Sequence, residues 1–237
     1  VMRTLVEPDE YDFPGDKKAS ERIKGLNRLV ERAAKYGIKI FLYVNEPRAM
    51  DSDYFEISEQ RQKYMGPKYN GLNSFCCSNP EVLAWLSRSM EKIFTQVKGL
   101  GGVFTITASE NHTSCASRNY RDCSLCSKRE YSDLIADVNR AIELGVHRAS
   151  PDAKVIVWDW GWPDAECEAI ISKLPKECWF MSVSEWSKPI EKGGVKSAVG
   201  EYSVSNVGPG PRARRKWSAA RANGLKCVAK VQVNCSW

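Results

Sequence analysis

Hydrophobic positions along the chain follow two alternating periods. Apolar residues recur every three or four positions, as on one face of an α-helix, in the stretches 23–33, 82–94, 134–146, 165–174 and 213–222. Between them lie short apolar runs typical of strands buried on both faces, at 38–44, 101–108, 155–158, 178–183 and 227–233, with a further strand or hairpin arm at 201–205. Strands and helices therefore alternate, which predicts a parallel sheet covered by helices.

Helix boundaries agree with this pattern. Gly37 follows the first helical stretch and is typical of a C-cap residue. Ser78 precedes Asn79 and Pro80, so it is predicted to cap the next helix.

Two folds are built from alternating strands and helices, the open doubly wound sheet and the closed eight-stranded barrel. A dinucleotide-binding sheet needs Gly-x-Gly-x-x-Gly, whereas this chain has Gly208-Pro209-Gly210-Pro211, whose prolines lack the N–H donors that bind phosphate. The sequence thus predicts a single α/β domain over residues 1–237, a (β/α)8 TIM-type barrel that is truncated at both ends. Further polypeptide would supply the missing strands, because exposed sheet edges are unfavourable.

Composition excludes several classes of protein. A hydrophobic content of 43% and a charged content of 27% are ordinary for a globular domain. No stretch approaches the roughly 18 apolar residues that a membrane span needs, so no membrane association is expected. The net charge of +6 is spread among acids except at residues 212–216, interpreted as a solvated helix face, so nucleic acid is not an expected partner.

Nine cysteines are many for 237 residues, and their odd number argues against a simple disulfide scaffold. A reduced, cytoplasmic compartment or a bound metal is favoured instead. Cys115, Cys123 and Cys126 lie in one loop, and the Cys-x-x-Cys pair has zinc spacing. Cys77 is predicted as the fourth ligand of a structural zinc, with Cys76 and His112 as alternatives. The competing interpretation is free or disulfide-bonded thiols in a surface loop.

Three predicted strands end in acidic residues, Glu110, Asp159 and Glu185. In a barrel of parallel strands the active site lies at the carboxyl ends of the strands. Glycoside cleavage needs one carboxyl group to protonate the leaving oxygen and a second to act as nucleophile or base. Glu110 is therefore predicted as the general acid/base and Glu185 as its partner, the alternative for each being a structural ion pair.

Other polar and aromatic residues at the strand ends are candidates for holding a sugar. Flat indole faces suit the apolar side of a pyranose ring. Each charged candidate has an alternative role. Asp159 could form an interior salt bridge, and Glu46 and Arg48 could pair with each other or with a neighbouring loop. The predicted substrate-binding residues are Asn45, Glu46, Arg48, Asn111, Asp159, Trp160 and Trp186.

Several segments carry a resemblance to a known family. These are the stretch 35–39 leading to Asn45-Glu46-Pro47-Arg48, the stretch 77–82, and Glu110 at the end of its strand. Together they resemble the catalytic barrel of family 20 glycoside hydrolases, the hexosaminidase group, and its uncharacterised bacterial relatives. The resemblance implies strands three to seven of a barrel, with Glu110 as general acid/base at the end of strand four.

In that family an Asp precedes the catalytic Glu and orients the 2-acetamido group of the substrate. Ser109 occupies this position here and carries no negative charge to stabilise an oxazolinium ion. The expected function is hydrolysis of a β-linked glycoside, with a carbohydrate as the partner and zinc as the only cofactor. Two alternatives remain, a non-catalytic carbohydrate-binding or assembly module and a thiol-rich metal protein.

Overall fold

The computed structural model describes residues 2–108, 111–186, 188–198 and 209–230. The helices of this part of the chain are α1 Met2–Leu5, α2 Ala19–Ala34, α3 Ser52–Glu56, α4 Glu59–Gln62, α5 Pro80–Gln96, α6 Tyr131–Ala149, α7 Cys167–Lys173 and α8 Pro211–Ala222. The strands are β1 Phe41–Val44, β2 Met50–Asp51, β3 Met65–Tyr69, β4 Leu72–Phe75, β5 Gly102–Ile106, β6 Lys154–Trp158, β7 Trp179–Val183, β8 Pro189–Lys192, β9 Val195–Ala198 and β10 Lys226–Lys230.

Five strands form one parallel sheet in the order β1-β5-β6-β7-β10. Among these five, each strand pairs with the one that follows it in sequence, as in the register Val44 to Thr105 to Val157 to Phe180. The strand order among the described residues therefore contains no reversal of the kind that defines a doubly wound sheet. The parallel sheet and the α/β class are confirmed, but the described strands do not close into a barrel.

Helices cover one face of this sheet. Leu42, Val103, Val155 and Phe180 are buried and belong to one core cluster with the apolar stripes of α5, α6 and α7. Helix α5 packs on α6, α6 on α7, and α7 on α8, so these helices follow the order of the strands in a single layer. Side chains alternate between the two faces of a strand, which assigns the intervening residues to the opposite face.

The opposite face is also apolar. Its centre is a second, smaller cluster that contains no residue of the described helices: Ile106, Trp158, Met181 and Val183, with Phe104, Ile156, Trp160 and Val228 against them. Tyr43 stacks on Phe104 with ring centroids 5.1 Å apart, yet 36% of Tyr43 remains exposed. Among the described residues this face thus has no helical cover.

Two small antiparallel sheets were not predicted. Strands β2, β4 and β3 form the first, between β1 and α5, and β8 and β9 form the second. The β3–β4 turn contains Asn70 and Gly71 with positive φ angles of 47° and 82°, which is the signature of a tight hairpin. Phe75 at the end of this hairpin bridges to Ser114, which joins the first small sheet to the loop that follows β5.

The predicted helix boundaries are close to the observed ones. Gly37 has the positive φ of 68° expected of a C-cap glycine. The cap of α5 is Asn79 rather than Ser78, because the Asn79 side chain accepts the N–H of Glu81 at 2.9 Å. The predicted strand at 201–205 lies outside the described residues. None of the described helices is both long enough and apolar enough to span a bilayer.

Candidate functional site

Four buried cysteines converge beside the carboxyl end of β5. Cys76 follows β4, and Cys115, Cys123 and Cys126 come from the loop after β5. All four sulfur atoms lie within 4.8 Å of one another, and all are free thiols. This group could hold a metal ion.

The sulfur spacing matches a tetrahedral centre. Cys76 Sγ lies 3.5 Å from Cys123 Sγ and 3.7 Å from Cys126 Sγ. Four thiolates around a metal at about 2.3 Å have sulfurs separated by roughly 3.8 Å. The thiols are therefore already placed near the corners of a four-sulfur coordination sphere.

The fourth member of the group is Cys76, not the predicted Cys77. Cys77 is fully buried and its sulfur lies 3.9 Å from Cys126 Sγ, but it is not one of the four that approach each other mutually. The two adjacent side chains leave the backbone in different directions, and that of Cys76 completes the group. His112 is not a member either, and burial lowers its pKa.

Polar groups and a glycine surround the sulfurs. Ser78 Oγ lies 3.1 Å from Cys126 Sγ, and Ser74 Oγ lies 3.5 Å from Cys115 Sγ. A Cβ at Gly66 would come within 2.5 Å of Cys115 Sγ, so this position needs a residue without a side chain. The Cys115 thiol lowers the pKa of Cys126 and lowers that of Cys123 to about 6. These two shifts favour thiolates, the form that binds metals, whereas hydrogen bonds to Cys123 and Cys126 raise the pKa values of Cys115 and Cys76.

A cleft of about 850 Å³ lies at the carboxyl ends of β6 and β7. It brings together four residues that the sequence predicted to share a site, and three basic residues that it did not select. The first group is Asp159, Trp160, Glu185 and Trp186, and the second is Arg118, Lys188 and Arg212.

Two tryptophans form a corner of this cleft. The Trp160 and Trp186 rings meet edge to face, with centroids 4.9 Å apart and planes at 89°. Trp158 packs against Trp160, with ring centroids also 4.9 Å apart. Trp186 is 43% exposed, so an apolar ring face is available to a solute.

Asp159 lies at the base of the cleft and is almost completely buried. Its Oδ2 atom accepts hydrogen bonds from Ser182 Oγ, Arg212 Nη2 and Lys216 Nζ, each at 2.9 Å. The interior salt bridge considered from the sequence is therefore present. Oδ1 of the same carboxylate is buried and has no partner in the described part of the chain, which leaves one acceptor for a ligand or water.

The basic stretch 212–216 is only in part the solvated helix face that the sequence suggested, since Arg214 and Arg215 are exposed but Arg212 and Lys216 turn inward. Lys216 is fully buried and also contacts Asp164 at 2.8 Å. Burial alone would lower its pKa, but Asp159, Cys167 and Asp164 together outweigh this effect and the pKa of Lys216 is raised. The prediction failed for Arg212 and Lys216 because their acidic partners are about 50 residues away in sequence.

Glu185 is held at the start of α8. Its Oε1 accepts the backbone N–H of Arg212 at 3.2 Å, which places a negative charge at the positive end of the helix. A Cβ at Gly210 would come within 1.9 Å of this oxygen, so the glycine makes room for the carboxylate. Ser184 Oγ accepts the Gly210 N–H at 2.8 Å and fixes the same turn.

The residues after β1 do not line the cleft. Glu46 is buried and its carboxylate accepts backbone N–H groups of Met2 at 3.2 Å and Arg48 at 2.7 Å. Asn45 donates to the Ile106 carbonyl at 2.9 Å, and Arg48 borders a different surface depression. The contact between Glu46 and the Arg48 backbone is close to the pairing considered from the sequence, whereas the contact of Asn45 was not anticipated.

Two further predicted residues belong to the loop after β5. Asn111 is half-buried and is not among the residues that line the cleft. Ser109 and Glu110 lie outside the described residues, so the predicted general acid/base has no described position.

No protein-family model matches this chain, and no curated protein and no solved structure matches it. The resemblance to family 20 glycoside hydrolases therefore rests on the sequence segments alone. The chemistry of the two sites is the remaining guide to function.

Proposed function

We propose that this protein acts on carbohydrates, as a glycoside hydrolase that holds a sugar ring in the cleft at the carboxyl ends of β6 and β7. The observation that carries the proposal is the corner formed by Trp160 and Trp186 beside the carboxylate of Glu185. An exposed indole face contributes apolar contact area to a pyranose, while polar groups nearby bind its hydroxyls.

The acidic residues have separate roles in this proposal. Glu110 is the general acid/base, which its position four residues after β5 and the family resemblance support. Glu185 is the nucleophile or base, because the Arg212 N–H fixes one oxygen of its carboxylate and leaves the other for chemistry. Asp159 Oδ1 accepts a hydrogen bond from a sugar hydroxyl.

The fold proposed for this activity is an incomplete (β/α)8 barrel. The sequential strand order and the single helix layer support it, since a barrel is wound in one direction with helices outside. The apolar face around Trp158 and Met181 would then line the interior of the barrel. Additional strands from further polypeptide would cover this face.

We further propose that the metal is zinc with a structural role. A site of four thiolates leaves no open position for a substrate, which favours a structural rather than a catalytic ion. The group joins Cys76, which directly follows the hairpin, to the loop that contains Cys115, Cys123 and Cys126. Zinc would thereby fasten the loop that begins at the proposed acid/base.

Turnover of aryl β-glycosides tests the catalytic role. Glu110→Gln should reduce kcat by at least about a hundredfold, because general acid/base catalysis contributes roughly 10² to 10⁴ in rate. Glu177→Gln, which lies at the opposite end of the sheet just before β7, is the matched control and should leave turnover unchanged. A Glu110→Gln protein with full activity would contradict the proposal that this protein is a glycoside hydrolase.

The alternative is a non-catalytic carbohydrate-binding module. Ser109 in place of the acid found in the resembled family favours it, since substrate-assisted chemistry lacks its charged partner. Titration calorimetry with oligosaccharides separates the two functions. Binding by the wild-type protein without any turnover supports the module.

A further inference from the structure

Two cations of the cleft lack acidic partners among the residues that the structure describes. Arg118 and Lys188 both line the cleft. Within the ranges that the structure describes, neither side chain has a carboxylate oxygen within 4 Å. Both are half-buried, so their charges are only partly screened by water.

The basic residues of α8 differ in this respect. Arg212 contacts Asp159 at 2.9 Å and Asp164 at 3.5 Å. Lys216 contacts the same two carboxylates. The acids at the base of the cleft are thus already engaged by α8 and do not neutralise Arg118 or Lys188.

Arg118 is also held in place. Its Nη1 donates to the Ser117 carbonyl at 2.6 Å, and its guanidinium lies over the Tyr69 ring, 5.4 Å from the centroid. The residue lies between Cys115 and Cys123, so two corners of the sulfur group flank it in sequence. A guanidinium that is fixed in this way loses little side-chain entropy when it binds an anion.

We infer that the cleft selects acidic saccharides, with Arg118 and Lys188 binding a carboxylate or sulfate group on the sugar while its ring lies against Trp160 and Trp186. This inference rests on the proposed function and names its substrate class. Two acidic oxygens of the cleft wall have no hydrogen-bond partner within the described ranges: Asp159 Oδ1, which is buried, and Glu185 Oε2, which is reserved for the sugar carbon or its water. Two oxygens of a carboxylate or a sulfate group match the fork of Arg118, and Lys188 adds a point charge.

An array of oligosaccharides tests this selection, using the metal-loaded, full-length protein. The array contains several acidic β-linked backbones, each paired with its carboxyl-reduced or desulfated form. We expect binding at least about tenfold tighter to the acidic member of one pair, since a hydrogen bond between charged groups contributes about tenfold to a hundredfold in affinity. The carboxyl-reduced and desulfated arms show which anion is recognised.

Arg118→Gln and Lys188→Gln should each remove most of that preference while leaving the affinity for the neutral member unchanged. Arg32→Gln on α2 and Lys98→Gln at the opposite end of the sheet are the matched controls and should bind as wild type does. Equal binding of acidic and neutral members would overturn the selection but keep the saccharide cleft. Absence of binding to every member would overturn the proposed function together with the selection.

Discussion

The sulfur group and the tryptophan cleft lie near the same edge of the sheet but are built in opposite ways. The sulfur group is closed, because Cys76, Cys115 and Cys126 are nearly or fully buried and satisfy one another. The cleft is open, and its wall includes Trp186 with 43% of its surface exposed. The sulfur group has no room for a solute from the solution. The cleft has an apolar face and an acceptor without a partner among the described residues, Asp159 Oδ1.

This difference indicates a division of labour. Residues of the sulfur group contribute to stability, so their substitution should lower the free energy of unfolding. Residues of the cleft wall contribute to binding, so their substitution should lower the affinity for a ligand and leave the stability of the fold nearly unchanged. The ion pairs of Asp159 lie between the two extremes, since they are buried like the thiols but border the cleft.

The largest effect is expected from loss of a sulfur ligand. Cys126→Ser should reduce bound zinc from one ion per chain to well below one, because three thiolates hold the ion far less tightly than four. We expect the thermal midpoint to fall by about 10 °C, since roughly 2–4 °C corresponds to each kcal/mol in a chain of this size. Metal analysis and calorimetry measure the two quantities.

Two controls sharpen this test. Cys227→Ser removes an exposed thiol and should change neither quantity. Cys76→Ser should release zinc, whereas Cys77→Ser should retain it, because Cys77 is not one of the four mutually close sulfurs. Zinc that is lost from Cys77→Ser but kept by Cys76→Ser would contradict the assignment of ligands.

A smaller effect is expected from Lys216→Met. Removal of one partner from a buried ion pair leaves an uncompensated charge, and we expect a loss of about 3 kcal/mol in the free energy of unfolding. Arg215→Met is the control, because Arg215 pairs with Asp164 and Glu168 at the surface and should cost under about 1 kcal/mol. Urea denaturation of the two variants compares them directly.

The pH dependence of this difference gives a second readout. The pKa of Lys216 is raised in the folded protein, so its stabilisation is complete below the unfolded pKa of about 10.4 and is lost as pH rises through the folded value. The stability gap between wild type and Lys216→Met should therefore narrow above about pH 10. A gap that widens with rising pH would contradict the ion pair.

The smallest effect on stability is expected from Trp186→Ala. The Trp186 ring is 43% exposed, so its loss should change the free energy of unfolding by less than about 1.5 kcal/mol. Affinity for a saccharide should nevertheless fall about tenfold, because the edge-to-face corner with Trp160 is lost. If unfolding is strongly affected but binding is not, Trp186 belongs to the core rather than to a binding wall.

Much of the large sheet could be predicted from the sequence, because its strands are continuous apolar runs and its helices have clear apolar stripes. The residues 50–75 could not be assigned in the same way, since their strands are short and mostly polar. One signal was nevertheless present. Asn70-Gly71 between the strands of the first small sheet is a strong hairpin turn, and Gly193-Gly194 plays the same part in the second.

The sites were predicted less completely, for physical reasons that differ. Asp159, Trp160, Glu185 and Trp186 meet because parallel strands end at one edge, which sequence order alone indicates. The choice between adjacent cysteines depends on which way each side chain leaves the backbone, and no periodicity reports this in a loop. The burial of Lys216 depends on pairing between distant segments.

The carboxylate of Glu185 has one consequence beyond the cleft. It fixes the first turn of α8, and the next residue in the chain is Trp186. A bound solute that displaces the Trp186 indole would therefore change the hydrogen bond between Glu185 and the first turn of α8. The rate of hydrogen exchange at the backbone amides of residues 212–216 would then change when a solute binds at Trp186. Helix α8 would thereby report whether the cleft is occupied.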